Sequence, residues 1–134
     1  VPANSSTMVY QTRLEDILEG ADPEASYVRL TYTDGKGVKH SNLRFFRNQK
    51  ELDFLRPEIK YDVADNGDYK EVTVVSDVFA RAVYLSVSDS ALLHFSDNFF
   101  DLHPGEPYTI KVKTEMSAED LLSRLQYNCI NNYL

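Results

Sequence analysis

Several residue types are scarce in this chain of 134 residues, and each shortage excludes a class of protein. There is a single cysteine, Cys129, so an internal disulfide framework is ruled out. The three histidines, His40, His94 and His103, are too far apart in sequence to give the paired spacing of a zinc site. No apolar run approaches the ~20 residues that a membrane-spanning helix needs. We therefore expect neither a disulfide-rich scaffold nor a membrane anchor, and no metal ligands.

Positive charge is also in the minority. Lys and Arg number 14 against 21 Asp and Glu, which leaves a net charge of −7. Because an acidic surface repels phosphate groups, we expect neither nucleic acid nor an anionic membrane as a partner. The length suits one domain, or one domain with part of a neighbour. It is too short for a β/α barrel, which needs roughly 200 residues or more.

Hydrophobic residues make up 43% of the chain, and their dominant period is two. The alternating segments are 28–32, 59–63, 72–74, 83–87 and 108–113. Strands with one apolar and one polar face are typical of a two-layer antiparallel sandwich. Turn residues separate the segments: Asp34-Gly35-Lys36-Gly37 follows the first, and Asn66-Gly67 favours a type I′ hairpin after the second. The pattern predicts an all-β fold.

Two segments depart from this pattern. Thr7 to Gly20 alternates at first but also carries apolar residues at helical spacing, and we interpret it as a strand that ends in a turn at Glu19-Gly20. Ser117 to Asp120 predicts a helix start, with Ser117 as N-cap and acidic residues in the first turn. Leu121, Leu122 and Leu125 are expected to face the core. A last strand is predicted over Tyr127 to Asn131.

The most informative segment is 95–106, which leaves a strand, turns, returns to the core and turns again. Its motif residues are Phe95, Asp97, Asn98, Phe99, Phe100, Asp101, Leu102, Pro104, Gly105 and Glu106. We expect Asp97 and Asn98 to cap the first turn through side-chain to backbone hydrogen bonds. The residues Phe99, Phe100 and Leu102 are predicted core anchors. Pro104-Gly105 suits the second turn, because Pro presets φ and Gly accepts positive φ.

This segment resembles the S-D-N-[FY]-F-D-L-x-P-G-E signature near the C-terminus of β-mannosidases of glycoside hydrolase family 2. Weaker similarity extends over residues 25–134, through 42–59, 74–83 and 117–131. The resemblance implies an immunoglobulin-like antiparallel β-sandwich with one short helix near its C-terminus. It also implies a non-catalytic domain whose partners are neighbouring domains of the same parent chain. The parent would hydrolyse terminal β-mannosides with retention, without a cofactor, in a secreted, periplasmic or lysosomal setting.

The resemblance leaves the domain boundary open. We expect one sandwich unit over residues 1–134, because the apolar residues of 27–32 and 43–46 need covering. Each large apolar side chain left exposed forgoes about 1.5–3 kcal/mol of burial free energy. In the alternative, residues 1–56 are the tail of a preceding domain or added strands, and residues 57–134 form the immunoglobulin-like domain.

No catalytic residue is predicted within this chain. A retaining glycosidase needs two carboxyl groups about 5–5.5 Å apart, and in the resembled family both lie on the barrel. The Glu residues here fall in turns, at strand ends and at a helix start, which favours solvated surface charge. Asp62, Asp65, Asn66 and Asp68 invite a calcium hypothesis, but Ala64 breaks the EF-hand spacing, so turn chemistry is preferred. Cys129 is expected to be a small buried residue.

Nine Tyr and seven Phe leave two further functions open. An autonomous carbohydrate-binding module would stack sugar rings on exposed aromatics, and Tyr32 and Tyr84 are the candidate sugar contacts. A cell-surface adhesion or interaction sandwich is the other alternative, since sandwich folds serve many functions.

Overall fold

A computed structural model describes residues 2–88 and 93–134 of the chain. The chain divides into two compact units, Val1–Asp53 and Phe54–Leu134. The expectation of one sandwich unit over residues 1–134 stays a prediction, and so does the alternative boundary at residue 56.

The N-terminal unit is built around one antiparallel β-hairpin. Its helix and strands are α1 (Leu14–Leu18), β1 (Tyr27–Thr33) and β2 (Lys39–Phe45), followed by a 3-10 turn at Gln49–Glu51. Asp34 fixes the hairpin turn, because its Oδ1 accepts the N–H groups of Lys36 at 2.8 Å and Val38 at 2.9 Å. The predicted turn after the first alternating segment is therefore confirmed.

The strand predicted within Thr7 to Gly20 is wrong over α1. Leu14, Ile17 and Leu18 follow the helical spacing instead, and the two acidic residues in the first turn, Glu15 and Asp16, favour the positive end of the helix dipole. The helix ends where Glu19 takes a left-handed conformation and Gly20 has φ of 87°.

The C-terminal unit is a two-sheet sandwich of antiparallel strands. Its elements are β3 (Ile59–Asp65), β4 (Lys70–Ser76), β5 (Ala80–Val87), β6 (His94–Phe95), β7 (Phe100–Leu102), β8 (Tyr108–Lys113), α2 (Ala118–Arg124), β9 (Leu125–Asn128) and a 3-10 turn at Ile130–Tyr133. One sheet has the order β3-β4-β8-β6 and the other β7-β5-β9. The predicted all-β sandwich with a short helix near the C-terminus is confirmed.

Alternation puts the apolar side chains of the central strands between the two sheets. The residues with the least exposure are Val72, Val74, Val83, Leu85, Leu102, Ile110, Val112 and Leu121. They come from both sheets and from α2, so a single cluster joins all three layers. Burial of each such side chain contributes about 1.5–3 kcal/mol, which makes this cluster the main source of stability.

The predicted start of α2 is confirmed, while the predicted last strand is only half right. Ser117 Oγ accepts the N–H of Asp120 at 3.1 Å, as an N-cap should. Strand β9 ends at Asn128, three residues earlier than predicted, and the chain turns into the 3-10 segment. Asn131 faces inward and binds backbone groups of other elements instead of extending the ladder.

The β3–β4 hairpin forms as predicted, with a different turn. Asp65 pairs with Lys70, so the loop has four residues, and Asn66 N–H donates to Tyr69 O at 3.0 Å. A type I′ turn needs positive φ at both central residues. Within this loop φ is positive at Gly67, at 78°, and not at Asn66, so the turn is not of type I′.

No helix in the described ranges, 2–88 and 93–134, is long and apolar enough to cross a membrane.

Two adjacent leucines of α2 test where the core lies. Leu121 is 0% exposed and Leu122 is 41% exposed. Leu121→Ala should lower the free energy of unfolding by about 2–5 kcal/mol, because it leaves a cavity among packed side chains. Leu122→Ala should change it by only about 0.5 kcal/mol. Urea denaturation measures both, and equal losses in the two variants would contradict this packing.

Candidate functional site

The signature segment 95–106 lies against strand β5, at the centre of the smaller sheet. Strand β7 pairs with β5 only at Ala80 and Val83, whereas β9 pairs with residues 84–87. Each half of β5 thus has a partner strand on one side only. Buried peptide groups need hydrogen bonds, so the remaining groups of β5 must be satisfied by something other than a strand.

Asn98 forms hydrogen bonds with the first of these unpaired peptide groups, the N–H and C=O of Leu85. Its side-chain Oδ1 accepts the N–H of Leu85 at 2.7 Å, and its Nδ2 donates to the carbonyl of the same residue at 3.0 Å. A primary amide carries both a donor and an acceptor, so one side chain can replace one residue of a paired strand. Asn98 was predicted to cap its own turn; it binds a strand 13 residues away instead.

The second unpaired peptide group belongs to Ala82, at a bulge within β5. The pairing register shifts between Ala80 and Val83, and Ala82 has φ of 49°, a conformation that residues with a side chain rarely adopt. Asp101 Oδ1 accepts the N–H of Ala82 at 2.8 Å, which stabilises this bulge. The carboxylate of the signature therefore binds the peptide group that strand pairing leaves free.

Asn131 supports the same strand from the opposite side. Its Oδ1 accepts the N–H of Arg81 at 2.9 Å, and its Nδ2 donates to the carbonyls of Phe79 at 2.8 Å and Leu55 at 2.9 Å. The residue is 4% exposed. Sequence analysis assigned Asn131 to a strand and missed this role. Its neighbour Asn132 is the same residue type and the partners of Asn131 are 50 or more residues away, so the sequence offered no local signal for this role.

The second predicted turn is confirmed at Pro104-Gly105. Glu106 N–H donates to His103 O at 3.1 Å, and Gly105 has φ of 70°. Gly105 N–H also donates to Ser76 O at 2.8 Å, so the turn is fastened to the end of β4.

Asp97 links the first turn to β8. Its Oδ1 accepts the N–H of Asn98 at 2.8 Å, as predicted for a turn residue. Its Oδ2 accepts the hydroxyl of Tyr108 at 2.5 Å. This hydrogen bond, with partial burial, raises the pKa of Tyr108 to about 12. The Tyr108 ring in turn lies on Phe100, with ring centroids 4.5 Å apart.

Two of the three predicted core anchors are confirmed and one is wrong. Phe100 and Leu102 are buried, whereas Phe99 is 68% exposed. Phe99 precedes the buried Phe100, so alternation puts it on the outer face, and its φ is 63°. Its ring lies beside Tyr84 instead, with centroids 5.0 Å apart.

Phe99 and Tyr84 belong to an exposed apolar groove on the outer face of the β7-β5-β9 sheet. We call it the aromatic groove; its volume is about 350 Å³. Its lining residues are Ala82, Tyr84, Phe99, Asn128, Cys129, Ile130 and Tyr133. Asn128 Nδ2 donates to the Tyr133 hydroxyl, which joins β9 to the 3-10 turn. Cys129 is buried as expected, and burial raises its pKa.

The other candidate sugar contact, Tyr32, lies in the N-terminal unit. It pairs across the hairpin with His40, and the two rings stack at 4.8 Å. His40 Nε2 lies 3.0 Å from Asp34 Oδ2, and this hydrogen bond is the largest cause of the lowered pKa of Asp34. Tyr32 is exposed, as a ring that stacks on a sugar must be. Tyr32 and Tyr84 thus belong to different compact units.

The acidic cluster of the β3–β4 loop is organised by turn contacts. Asp65 Oδ1 accepts the N–H of Gly67 at 2.9 Å and its Oδ2 pairs with Lys70 Nζ at 2.8 Å. Asn66 Nδ2 donates to Glu71 Oε2 at 3.1 Å. In the described part of the chain, no group of three or more His, Cys, Asp or Glu residues is placed to hold a metal ion.

Removal of the Asn98 amide tests its role as a strand substitute. Asn98→Ala leaves both peptide groups of Leu85 unpaired, and each costs about 1–3 kcal/mol. We expect the free energy of unfolding to fall by ~2–4 kcal/mol in urea denaturation. The matched control is Asn42→Ala on the exposed β2 strand, which should have little effect. A loss no larger than that of the control would contradict the role.

The neighbouring phenylalanines provide a second test. Phe100→Ala should lower the free energy of unfolding by about 3–5 kcal/mol, because its ring is buried. Phe99→Ala should cost only about 0.5–1.5 kcal/mol, the worth of an aromatic pair. If thermal and urea denaturation rank the two variants in the opposite order, Phe99 is a core residue after all.

Comparison with protein families agrees with this geometry. The family model of the mannosidase Ig-fold domain matches residues 54–133, and the model of a mannosidase Ig/CBM-like domain matches residues 1–51. No curated protein matches the chain. The two matched ranges correspond to the two compact units. The chain therefore belongs to the Ig-fold domain family of mannosidases.

Proposed function

We propose that this chain is the non-catalytic C-terminal β-sandwich region of a β-mannosidase-like enzyme of glycoside hydrolase family 2. Two mannosidase-associated family models cover residues 1–51 and 54–133, which supports this assignment. The resemblance of segment 95–106 to the β-mannosidase signature supports the narrower choice of parent. The parent would cleave terminal β-mannosyl residues with retention of configuration, and its two catalytic carboxylates would lie on a separate barrel.

The observation that carries the proposal is how the signature uses its polar side chains. Asn98 and Asp101 bind backbone groups of β5, and Asp97 binds Asn98 N–H and the Tyr108 hydroxyl. A catalytic acid or nucleophile needs its oxygen directed at a substrate. Since these oxygens are directed at the sandwich itself, the motif acts as a structural element of the fold.

The partners that we propose are neighbouring domains of the same parent chain. The aromatic groove supports this choice, because Tyr84 and Phe99 expose adjacent aromatic rings in a groove with a mainly apolar lining. Apolar surface with a polar rim is typical of protein interaction sites.

A second candidate function is carbohydrate binding at the same groove. The exposed rings of Tyr84 and Phe99 offer adjacent faces on which a sugar ring could stack, and Asn128 lies at the groove edge. The groove offers few hydrogen-bonding groups for sugar hydroxyls, and sugar sites normally include several such groups. Domain docking is therefore the preferred reading.

The parent enzyme provides the direct test. The complete reading frame should encode a barrel domain in addition to these residues, and its product should hydrolyse an aryl β-mannoside with the β-anomer formed first, as NMR can follow. The 134-residue chain alone should show no turnover. A complete product without a barrel, or turnover by the isolated chain, would refute the proposal.

Titration separates the two uses of the aromatic groove. If it binds sugar, calorimetry of the chain with manno-oligosaccharides gives heat, which Tyr84→Ala abolishes and Tyr32→Ala leaves intact. If it binds a neighbouring domain, the titrations are flat. Tyr84→Ala then lowers the melting temperature of the complete enzyme while changing that of the isolated chain by little. If the Tyr84→Ala variant still gives heat of binding with manno-oligosaccharides, both sugar binding at the groove and the flat titrations expected for domain docking are contradicted.

A further inference from the structure

The loop between β3 and β4 contains the only asparagine in the sequence that is followed by glycine, Asn66-Gly67. Both residues are exposed, and among the described residues a Cβ placed on Gly67 would meet no atom within 4 Å beyond its two chain neighbours. The nitrogen of Gly67 thus has no side chain of its own residue beside it, and its N–H donates to the carboxylate of Asp65. The carboxamide carbon of Asn66 is the electrophile nearest to it along the chain.

The same loop holds a buried charge in place. Lys70 has a side chain that is only 8% exposed, and its Nζ lies 2.8 Å from Asp65 Oδ2. The hydrogen bond from Lys70 is the largest cause of the lowered pKa of Asp65. The other oxygen of that carboxylate accepts the N–H of Gly67 at 2.9 Å. Asp65 therefore connects the exposed turn to a buried ammonium group.

We propose that Asn66 is a site of spontaneous deamidation, and that its conversion to isoaspartate loosens the Asp65 latch. By this latch we mean the two contacts of the Asp65 carboxylate, with the Gly67 N–H and with Lys70 Nζ. The Gly67 nitrogen forms a bond to Asn66 Cγ and loses its proton to solvent. The bond from Cγ to Nδ2 breaks, and Nδ2 takes up a proton and leaves as ammonia. Water then opens the succinimide ring at either carbonyl, which gives aspartate or isoaspartate. No oxidant or reductant is involved.

Both changes act on the contacts of the latch. Isoaspartate adds one carbon to the main chain between Asp65 and Gly67, so the Gly67 N–H moves away from the Asp65 carboxylate. In isoaspartate the amide carbon has joined the main chain, so the hydrogen bond that Asn66 Nδ2 donated to Glu71 Oε2 at 3.1 Å is lost. In the aspartate product the new carboxylate faces Glu71 directly. An attraction becomes a like-charge contact. The carboxylate of Asp65 then loses the Gly67 N–H that helps to orient it toward Lys70, so the hairpin end should loosen.

The experiment is to age the full chain in a mildly alkaline buffer and follow residue 66 by peptide mapping. Methyl transfer by an isoaspartyl methyltransferase with S-adenosylmethionine measures the isoaspartate formed. We expect conversion at Asn66 ahead of every other asparagine, and a melting temperature lowered by roughly 4–8 °C. Asn66→Gln should show no conversion, because its side chain would have to close a six-membered ring.

Two further controls make the result decisive. Asn66→Asp adds the charge without lengthening the main chain, so its melting temperature should fall less than that of the aged chain. A synthetic peptide with the sequence of residues 60–72 gives the rate without the fold. If the peptide converts while the folded chain stays intact, the loop protects Asn66 and the proposal is wrong. An aged chain that contains isoaspartate and melts unchanged would equally overturn the latch.

Discussion

The sandwich depends on how the peptide groups of β5 are satisfied. This strand crosses the centre of the smaller sheet, yet β7 and β9 cover different halves of it. The side chains of Asn98, Asp101 and Asn131 supply the missing hydrogen bonds. An unpaired buried peptide group costs about 1–3 kcal/mol, a large fraction of the stability of a small domain. The fold therefore needs these polar residues in addition to its apolar core.

This requirement explains why the signature mixes polar and aromatic residues. Its acidic and amide side chains resemble catalytic groups when they are considered by residue type alone. In the structure Asp97, Asn98 and Asp101 form hydrogen bonds with groups of the same domain. Phe100 and Leu102 enter the core beside them. Residue type alone therefore does not distinguish a structural motif from a catalytic one. Fold and chemistry are separate properties, and this segment specifies the fold.

The parts of the fold that local rules govern were predictable from sequence. Alternation located β4, β5 and β8, because one face of each strand is buried, and the cap at Ser117 marked α2. The roles of Asn98 and Asn131 were not predictable, because their partners lie 13 to 76 residues away. The exposure of Phe99 was also missed, although alternation with the buried Phe100 and Leu102 puts it on the outer face. Residues 14–18 fit both helical spacing and alternation, and the prediction of a strand there was wrong because the segment is helical.

The same backbone irregularities that complete the core also shape the outer surface. Phe99 has positive φ and its ring points outward. The residues on either side of it, Asn98 and Phe100, bind strand β5 and enter the core. The bulge at Ala82 lies beside Tyr84 and lines the same groove. Bulges commonly redirect side chains in this way. The aromatic groove is therefore a product of the hydrogen bonds that stabilise β5, and a change at Asn98 or Asp101 would alter stability and surface together. By contrast, a substitution at an outward-facing residue such as Tyr84 changes the groove without removing a side-chain hydrogen bond to β5.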